Sequence, residues 1–321
     1  MRAIILTGDG TYRATELDEP TAGPGEVAIR VAHAGIQWGD TMVRDGHFAV
    51  PRPFVPGFEA SGHIVAVGEG VGEGRLGEAV VALTTAGAWA EVVVAPAVLA
   101  LPTGEIPLRT AAGFGWGTPT AYDLVNTATR VRPGESVLIH AGGGGVGTLA
   151  VQFARLAGAG RIVGVVGSAA KAEYAGRFGY DEVLLRDEFP AKLDGERFDV
   201  ILDPVGGLTR QHSLRRLAPH GRLAVYGNIS GYEPILADTN DLLMEGKSLV
   251  TYNSNLLSRT HPERLADTAA RALELLTQER IRIDITAEYS PAELGLAVQR
   301  LFEGATNGKS VLRVAGHLGE W

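Results

Sequence analysis

The part of this sequence best suited to chemistry is a glycine-rich run at residues 140–156, HAGGGGVGTLAVQFARL. It fits the pattern G-x-G-x-x-G with Gly142, Gly144 and Gly147. Glycines at this spacing permit a tight turn (Gly142), a close approach of the backbone to a bound group (Gly144) and close packing of a helix on a strand (Gly147). A flexible hinge would also be rich in glycine. In a chain with 43 glycines the pattern alone does not separate the two interpretations.

The segments beside the glycines favour a phosphate-binding turn. SVLIHA precedes them as an apolar run of strand length, TLAVQFARLAG follows with helical periodicity, and RIVGVVG is typical of a second strand. In this setting the N–H groups at the start of the helix bind a pyrophosphate. We therefore assign Gly142, Gly144, Gly145, Val146 and Gly147 to a dinucleotide site.

The end of the second strand indicates which dinucleotide would bind. An NAD site places Asp or Glu about 20 residues after the glycines, where the carboxylate accepts hydrogen bonds from a ribose hydroxyl. Here GVVGSAAK contains no acid, Ser168 and Lys171 follow, and Arg186 comes after the next apolar run, EVLL. Cations in these places favour the 2′-phosphate of NADPH, although solvated surface charge is the commoner role of Lys and Arg.

Two sequence patterns divide the chain. Short apolar runs between turn residues indicate a β-rich first third, whereas apolar runs of four to six residues alternate with helical patterns from about residue 122. The alternation predicts an α/β domain with a doubly wound parallel sheet. A long amphipathic helix within 262–280, a shorter one within 291–304 and a strand at 310–316 complete the prediction.

Composition excludes several other classes of protein. A net charge of −8 without a basic run argues against a nucleic-acid partner. The chain has no cysteine, which excludes disulfides, thiolate catalysis and cysteine-ligated zinc. No apolar run approaches the about 18 residues of a membrane span, and no signal peptide or HExxH or GxSxG motif is present. We expect a cytoplasmic protein without a metal or a membrane partner.

Taken in order, the motifs resemble those of the medium-chain dehydrogenase/reductase superfamily and, within it, the zinc-free quinone oxidoreductases that include zeta-crystallin. The similarity covers most of the chain, through GPGEVAIRVAHAG, PFVPGFEASGHIVAVGEGV, RPGESVLIHAGGGGVGTLAVQFARLAGA, DVILDPVGG, GRLAVYGN and GKSVLRV. The resemblance implies a GroES-like β-rich partial barrel at residues 1–122 and 262–321, and a Rossmann NADPH-binding domain at 123–261. It also implies a homodimer.

The resemblance further indicates which side chains would act on a substrate. Zinc-dependent relatives carry a cysteine ligand near Gln37 and a histidine at Phe58, so zinc ligands are missing here. Quinone oxidoreductases typically carry Asn where this chain has Gln37, and often Tyr where it has Met42. These two differences weaken the prediction that the substrate is a simple quinone. Gln37, Asp40 and Tyr122 are the predicted catalytic residues. Asp40 could instead order its loop, and Tyr122 could instead be a packing residue at a helix start.

Tyr226 and Gly227 of GRLAVYGN, together with Asn253, complete the predicted cofactor contacts. Four aromatic side chains could line an apolar pocket for a flat ring or belong to the core: Trp38, Phe58, Trp116 and Tyr252.

The sequence therefore predicts a metal-free reductase that transfers hydride from NADPH to quinones or other conjugated carbonyl compounds. An enoyl reductase for an α,β-unsaturated thioester or biosynthetic intermediate would share the fold and the cofactor. A protein that binds NADPH without catalysis, in a structural or sensing role, is the alternative of another class.

Overall fold

A computed structural model of the protein describes residues 1–314, so the predicted end of the last strand, at 315–316, lies outside the described residues. The chain divides into two compact units, Met1–Pro119 with Asn255–Trp321, and Thr120–Ser254. The boundaries predicted after residues 122 and 261 lie a few residues further along the chain. Tyr122 consequently falls in the second unit.

The first segment of the first unit is rich in strands. It contains β1 (Arg2–Leu6), β2 (Tyr12–Glu16), β3 (Glu26–Ile36), α1 (Trp38–Arg44), β4 (Glu59–Val67), β5 (Ala79–Leu83), β6 (Val92–Pro96), β7 (Ala100–Pro102) and α2 (Leu108–Phe114). Helix α3 (Gly117–Asp123) then leads into the second unit and continues as a π-helical turn at Leu124–Ala128.

Strands and helices alternate in the second unit. They are β8 (Ser136–His140), α4 (Gly145–Leu156), β9 (Arg161–Val166), α5 (Ala169–Ala175), β10 (Glu182–Leu185), α6 (Phe189–Lys192), β11 (Phe198–Asp203), α7 (Gly207–Arg215), β12 (Leu217–Val225), α8 (Thr239–Met244) and β13 (Ser248–Thr251). The chain then passes through α9 (Ser254–Thr260) and returns to the first unit with α10 (Pro262–Thr277), β14 (Ile285–Tyr289), α11 (Leu294–Phe302) and β15 (Lys309–Arg313).

The main sheet of the first unit has the order β14-β15-β3-β4-β5-β7, with β6 also paired to β3, and β1 pairs separately with β2. Strand β15 runs antiparallel to β3 and places Ser310 opposite Ile36, directly before α1. The alternating sequence of β3 buries Val27, Ile29 and Val31, which pack with Trp89 in the core of this unit. The late strand β15 therefore stabilises the segment from which α1 emerges.

The second unit is built on a six-stranded sheet of order β10-β9-β8-β11-β12-β13. Every pair in it is parallel. The predicted doubly wound parallel sheet is confirmed. Val137, Leu138 and Ile139 of β8 are fully buried, as expected for a central strand covered on both faces. Strands are added outward from β8 in one direction (β9, β10) and then from β11 in the other (β12, β13), so the order reverses between β8 and β11. In such sheets, ligands bind beside this point, at the carboxyl ends of the strands.

Candidate active site

The predicted cofactor-binding residues all follow the carboxyl ends of strands in one parallel sheet. The glycine turn follows β8, and Ser168 follows β9. Arg186 follows β10, Tyr226 and Gly227 follow β12, and Asn253 follows β13. Because the strands are parallel, these ends lie along one edge. The fold thus brings together residues spread over most of the second unit.

The glycine turn has the geometry of an anion site. Helix α4 begins at Gly145 with Gly144 as its N-cap, and the N–H groups of Gly145, Val146 and Gly147 find no acceptor in the part of the chain that the structure describes. A Cβ on Gly147 would lie 2.5 Å from the carbonyl oxygen of Ala141, so only glycine fits there. A Cβ on Gly144 would meet only that same oxygen, at 3.3 Å. The open space at Gly144 and the free N–H groups fit a pyrophosphate.

The tight turn after β8 has its left-handed residue directly before Gly142. The left-handed backbone conformation belongs to Ala141, with φ 54°, and not to Gly142. The N–H of Gly144 donates to the carbonyl of Ala141 at 2.9 Å and closes the turn. Gly142 is needed for space, because a Cβ there would lie 3.0 Å from Oη of Tyr180. Gly142 and Gly143 are the two central residues of this turn, and its left-handed residue is Ala141.

Ser168, Lys171 and Arg186 lie at the ends of β9 and β10. Oγ of Ser168 accepts the N–H of Lys171 at 3.4 Å and caps α5. The guanidinium of Arg186 lies close to Gly167, where a Cβ would be 3.3 Å from Nη2. Burial, together with the charge of Arg186, lowers the pKa of Lys171. Neither cation pairs with a carboxylate within residues 1–314, so this end of the sheet would favour an anion.

A charged network stabilises the loops that follow β11 and β12. The sequence analysis did not predict it. Asp203 is fully buried, and its Oδ1 accepts the N–H of Val205 at 2.6 Å. Its Oδ2 accepts Nε of Arg210 at 2.7 Å. Arg210 also donates to Oδ1 of Asn228 at 3.0 Å and to the carbonyl of Gly227 at 2.7 Å. The carbonyl oxygen of Gly227 therefore already accepts a hydrogen bond from Arg210. No sequence motif joins these partners, because they meet only through the sheet.

Tyr226 and Asn253 differ in their surroundings. The N–H of Tyr226 donates to the carbonyl of Asp203 at 3.2 Å, and burial beside the charge of Asp203 raises the pKa of the Tyr226 phenol. Asn253 is exposed. Its neighbour Tyr252 donates its hydroxyl to Oδ2 of Asp123 at 2.9 Å. Tyr252 is thus engaged in a polar contact within the second unit.

Gln37 and Asp40 form a reciprocal cap at the start of α1 in the first unit. Oδ2 of Asp40 accepts the N–H of Gln37 at 2.8 Å. The Gln37 side chain is half-buried and lies beside Gly39, where a Cβ would be 3.2 Å from Nε2. Asp40 thus fixes the backbone that carries the Gln37 amide.

Asp40 belongs to a buried charged cluster. Its side chain is buried, and burial together with the neighbouring Glu59 raises the pKa of its carboxyl well above the usual range. Glu59 accepts hydrogen bonds from Lys309 of β15 and, at 2.7 Å, from the N–H of Trp116. Oδ1 of Asp40 is buried and has no hydrogen-bond partner among the described residues. This arrangement holds Asp40 within the protein, away from solvent.

Tyr122 and three of the four aromatic pocket candidates already have packing partners. Tyr122 lies one residue before the end of α3, not at a helix start, and packs edge-on against Phe153 with ring centroids 5.4 Å apart. Phe58 and Trp116 are buried, and the Trp116 indole donates to the Phe58 carbonyl at 2.6 Å. Trp38 stacks on Phe302 of α11 at 6.4 Å. Packing within each unit accounts for all of these rings.

Comparison with known proteins places these features in a family. The model of the Alcohol dehydrogenase GroES-like domain matches residues 23–105, and that of the Zinc-binding dehydrogenase matches residues 145–271. A quinone oxidoreductase of Pseudomonas aeruginosa is 33% identical over 94% of this chain and 94% of its own length. This chain belongs to the quinone oxidoreductase-like family of the medium-chain dehydrogenase/reductase superfamily. The predicted fold class, a GroES-like β-rich domain with a Rossmann domain, is confirmed.

Three further relatives extend the comparison. A mycobacterial protein solved in complex with NADPH is 32% identical and has a TM-score of 0.89, with 98% of this chain and 99% of that chain covered. The synaptic vesicle membrane protein VAT-1 homolog of Danio rerio is 30% identical over 97% of this chain and 69% of its own length. The match to its Mus musculus counterpart spans 59% of that protein.

The zinc-dependent members of the superfamily require ligands that this chain lacks. The sequence contains no cysteine, so it has no cysteine ligand for zinc. Within residues 1–314, His, Asp and Glu form no group of three or more that could hold a metal ion. None of the helices in that range is both long and apolar enough for a bilayer crossing.

Proposed function

We propose that this protein is an NADPH-dependent reductase of quinones or other conjugated carbonyl compounds. The observation that carries the proposal is the edge of the parallel sheet beside the glycine turn, where Ser168 and Lys171 follow β9 with no acid in residues 164–171, and Arg186 follows β10. A relative with 32% identity is solved in complex with NADPH, which supports the same cofactor here.

The residues of the second unit would hold each phosphate of the cofactor. The free N–H groups of Gly145, Val146 and Gly147 would bind the pyrophosphate. Lys171 and Arg186 would bind the 2′-phosphate, because an unpaired cation gains a charge-assisted hydrogen bond that the hydroxyl of NADH does not offer. When bound, NADPH supplies a hydride from its nicotinamide.

In the first unit, we assign the contact with the substrate to Gln37. Its amide NH₂ would donate a hydrogen bond to the substrate carbonyl oxygen, where negative charge develops during reduction. Asp40 would act through Gln37, since its carboxyl binds the Gln37 N–H and holds the loop in place. A conjugated carbonyl spreads the developing charge onto oxygen, so that hydrogen-bond donors suffice to stabilise it.

The test compares NADPH oxidation with a 1,4-quinone, an α,β-unsaturated ketone and an enoyl thioester, each also with NADH. We expect turnover with the quinone or the ketone and a preference for NADPH. Turnover of the thioester alone would favour an enoyl reductase and contradict the proposal. Tight NADPH binding without turnover of any acceptor would indicate a non-catalytic role.

The homodimer expected for this family has a candidate surface at the edge strand β13. Within the described chain β13 pairs only with β12, which leaves the backbone groups of its other side unpaired. Leu249 of β13 is 44% exposed, and Leu243 and Met244 of α8 are 75% and 82% exposed. We propose that a second copy covers this edge, since unpaired backbone groups beside apolar side chains favour strand pairing about a twofold axis.

A further inference from the structure

Tyr180, which follows β9 and α5 in the chain, joins the two ends of the glycine turn. Its side chain is 9% exposed. Its hydroxyl lies 2.9 Å from the carbonyl oxygen of Gly147 and 3.2 Å from that of Gly142, and donates to this pair of acceptors. One side chain thus spans the first and the last glycine of the G-x-G-x-x-G pattern.

Two glycines make room for the Tyr180 ring. A Cβ on Gly142 would lie 3.0 Å from its hydroxyl oxygen, and a Cβ on Gly164 of β9 would lie 3.0 Å from two ring atoms. Both distances are shorter than ordinary contacts, so alanine at either position would push the ring away. The Tyr180 ring therefore occupies space that side chains at positions 142 and 164 would otherwise fill.

The backbone beside Tyr180 is held on both sides. Nε of Arg155, in the last turn of α4, donates to the carbonyl of Gly179 at 2.8 Å, and the same guanidinium pairs with Asp181 at 2.6 Å. Asp181 also accepts the N–H of Ile162 in β9 at 2.6 Å. The segment at 179–181 therefore contacts both ends of α4. Arg155 makes the contact at the carboxyl end of the helix, and Tyr180 makes the contact at the amino end.

We propose that Tyr180 is a positioning residue that holds the phosphate-binding turn in its binding conformation before the cofactor arrives. The proposal rests on the function proposed above. Four consecutive glycines, 142–145, have more backbone freedom to lose than any other residues, so an unbraced turn would be costly to order on binding. Burial raises the pKa of the Tyr180 phenol well above its usual range, so the hydroxyl keeps its proton as a donor.

The first experiment measures amide hydrogen exchange in the cofactor-free protein. In Tyr180→Phe we expect faster exchange in the peptide covering residues 141–149 than in the wild type. Tyr289→Phe is the matched control, because it makes the same change at a buried tyrosine of the other unit and should leave that peptide unchanged. Equal exchange in wild type and Tyr180→Phe would overturn the proposal. This readout needs no cofactor and is independent of whether NADPH is the ligand.

The second experiment measures NADPH affinity and turnover separately. Loss of one hydrogen bond predicts a dissociation constant about fivefold higher in Tyr180→Phe, with kcat at saturating NADPH unchanged. An unchanged dissociation constant, or a fall in kcat alone, would contradict a positioning role. Failure of the wild type itself to bind NADPH would refute the proposed function, while the exchange result would still decide the role of Tyr180.

Gly142→Ala provides a second variant that disturbs the same contact from the other side. Its Cβ would lie 3.0 Å from the Tyr180 hydroxyl oxygen, so exchange in the 141–149 peptide should again be faster than in the wild type. Unchanged exchange in a folded Gly142→Ala protein would contradict the proposed contact, even if Tyr180→Phe could not be prepared.

Discussion

Two cations of the second unit are the residues that we propose select NADPH over NADH. Lys171 lies in the first turn of α5, after β9, and Arg186 directly follows the neighbouring strand β10; neither has a carboxylate partner within residues 1–314. An exposed lysine such as Lys192, by contrast, already pairs with Glu188 at 2.9 Å. Cations without partners gain most from a bound phosphate, so their removal should change affinity for the phosphorylated cofactor only.

Lys171→Ala should raise the dissociation constant of NADPH about tenfold or more and leave that of NADH within twofold, because a charge-assisted hydrogen bond contributes about 1.5–3 kcal/mol. Fluorescence titration with both cofactors measures the effect. Lys192→Ala is the matched control and should change neither affinity. Equal weakening of NADPH and NADH by Lys171→Ala would refute a contact with the 2′-phosphate.

His140 links protonation to the stability of the second unit. It is 1% exposed at the end of β8. Oγ of Ser213 donates to the Thr209 carbonyl and must therefore accept from Nε2 of His140, at 2.8 Å. Burial lowers the pKa of His140 from 6.5 to about 4. The unfolded chain then binds the proton more tightly than the folded protein, so the stabilisation is complete above pH 6.5 and is lost as the pH falls toward 4.

The free energy of unfolding of the wild type should therefore fall by about 2 kcal/mol more than that of His140→Gln between pH 7.5 and pH 5. Urea denaturation at the two pH values provides the measurement. His63→Gln, at an exposed position of β4, should keep the pH dependence of the wild type. The same dependence in wild type and His140→Gln would show that His140 is not responsible.

Among the elements, the β8–α4 connection is the one on which the proposed activity depends. Its conformation follows from close backbone contacts, since a Cβ on Gly147 would lie 2.5 Å from the Ala141 carbonyl oxygen. The pairing of β8 with β9 keeps the spacing between the glycine turn and Lys171, which follows β9. A change that moves the start of α4 should therefore affect affinity for the whole dinucleotide.

Gly147→Ala should weaken binding of NADPH and NADH by similar factors, at least tenfold, because the added methyl group would displace the N–H groups that face the pyrophosphate. Gly176→Ala is the control, since a Cβ there meets nothing within 4 Å and φ is −54°. The same titrations as above apply. Normal affinity in a folded Gly147→Ala protein would show that the turn is not the phosphate site.

Local sequence patterns were sufficient to predict these elements, but they did not predict the long-range contacts between them. Apolar runs predicted β8, α4 and β9, because a strand that is buried on both faces has an almost continuously apolar sequence. The sequence did not indicate that Ala141 adopts a left-handed conformation, because Ala rarely does so. Tyr180 and Arg210 act on partners that the sheet brings near, and nothing in their own segments indicates those contacts.

At the scale of the whole molecule, the chain contributes to the first unit twice. The pair Lys309 and Glu59 joins β15 to the start of β4, and no local pattern could reveal a contact between residues 250 positions apart. The order of β-rich segment, parallel sheet and return segment was nevertheless predictable from the resemblance to the family. The proposed dimer surface was not, since no sequence pattern marked residues 248–251 as the edge strand of a sheet.

Leu249→Lys should shift the protein from dimer to monomer, because the charge would be placed on the exposed edge that we propose a second copy covers. Size-exclusion chromatography with light scattering gives the mass directly. Leu296→Lys, at a residue of α11 that is 54% exposed, is the control and should leave the mass unchanged. A Leu249→Lys protein with the mass of the wild-type dimer would place the interface elsewhere.

The division of the chain into two units also separates its chromophores. Trp38, Trp89 and Trp116 lie in the first segment of the first unit, and residues 120–254 contain no tryptophan. Tryptophan emission therefore carries no direct signal from the parallel-sheet unit. A cofactor that stabilises the parallel sheet should delay the loss of helical circular dichroism more than the change in emission. The protein thus carries a built-in optical label that distinguishes melting of one unit from melting of the other.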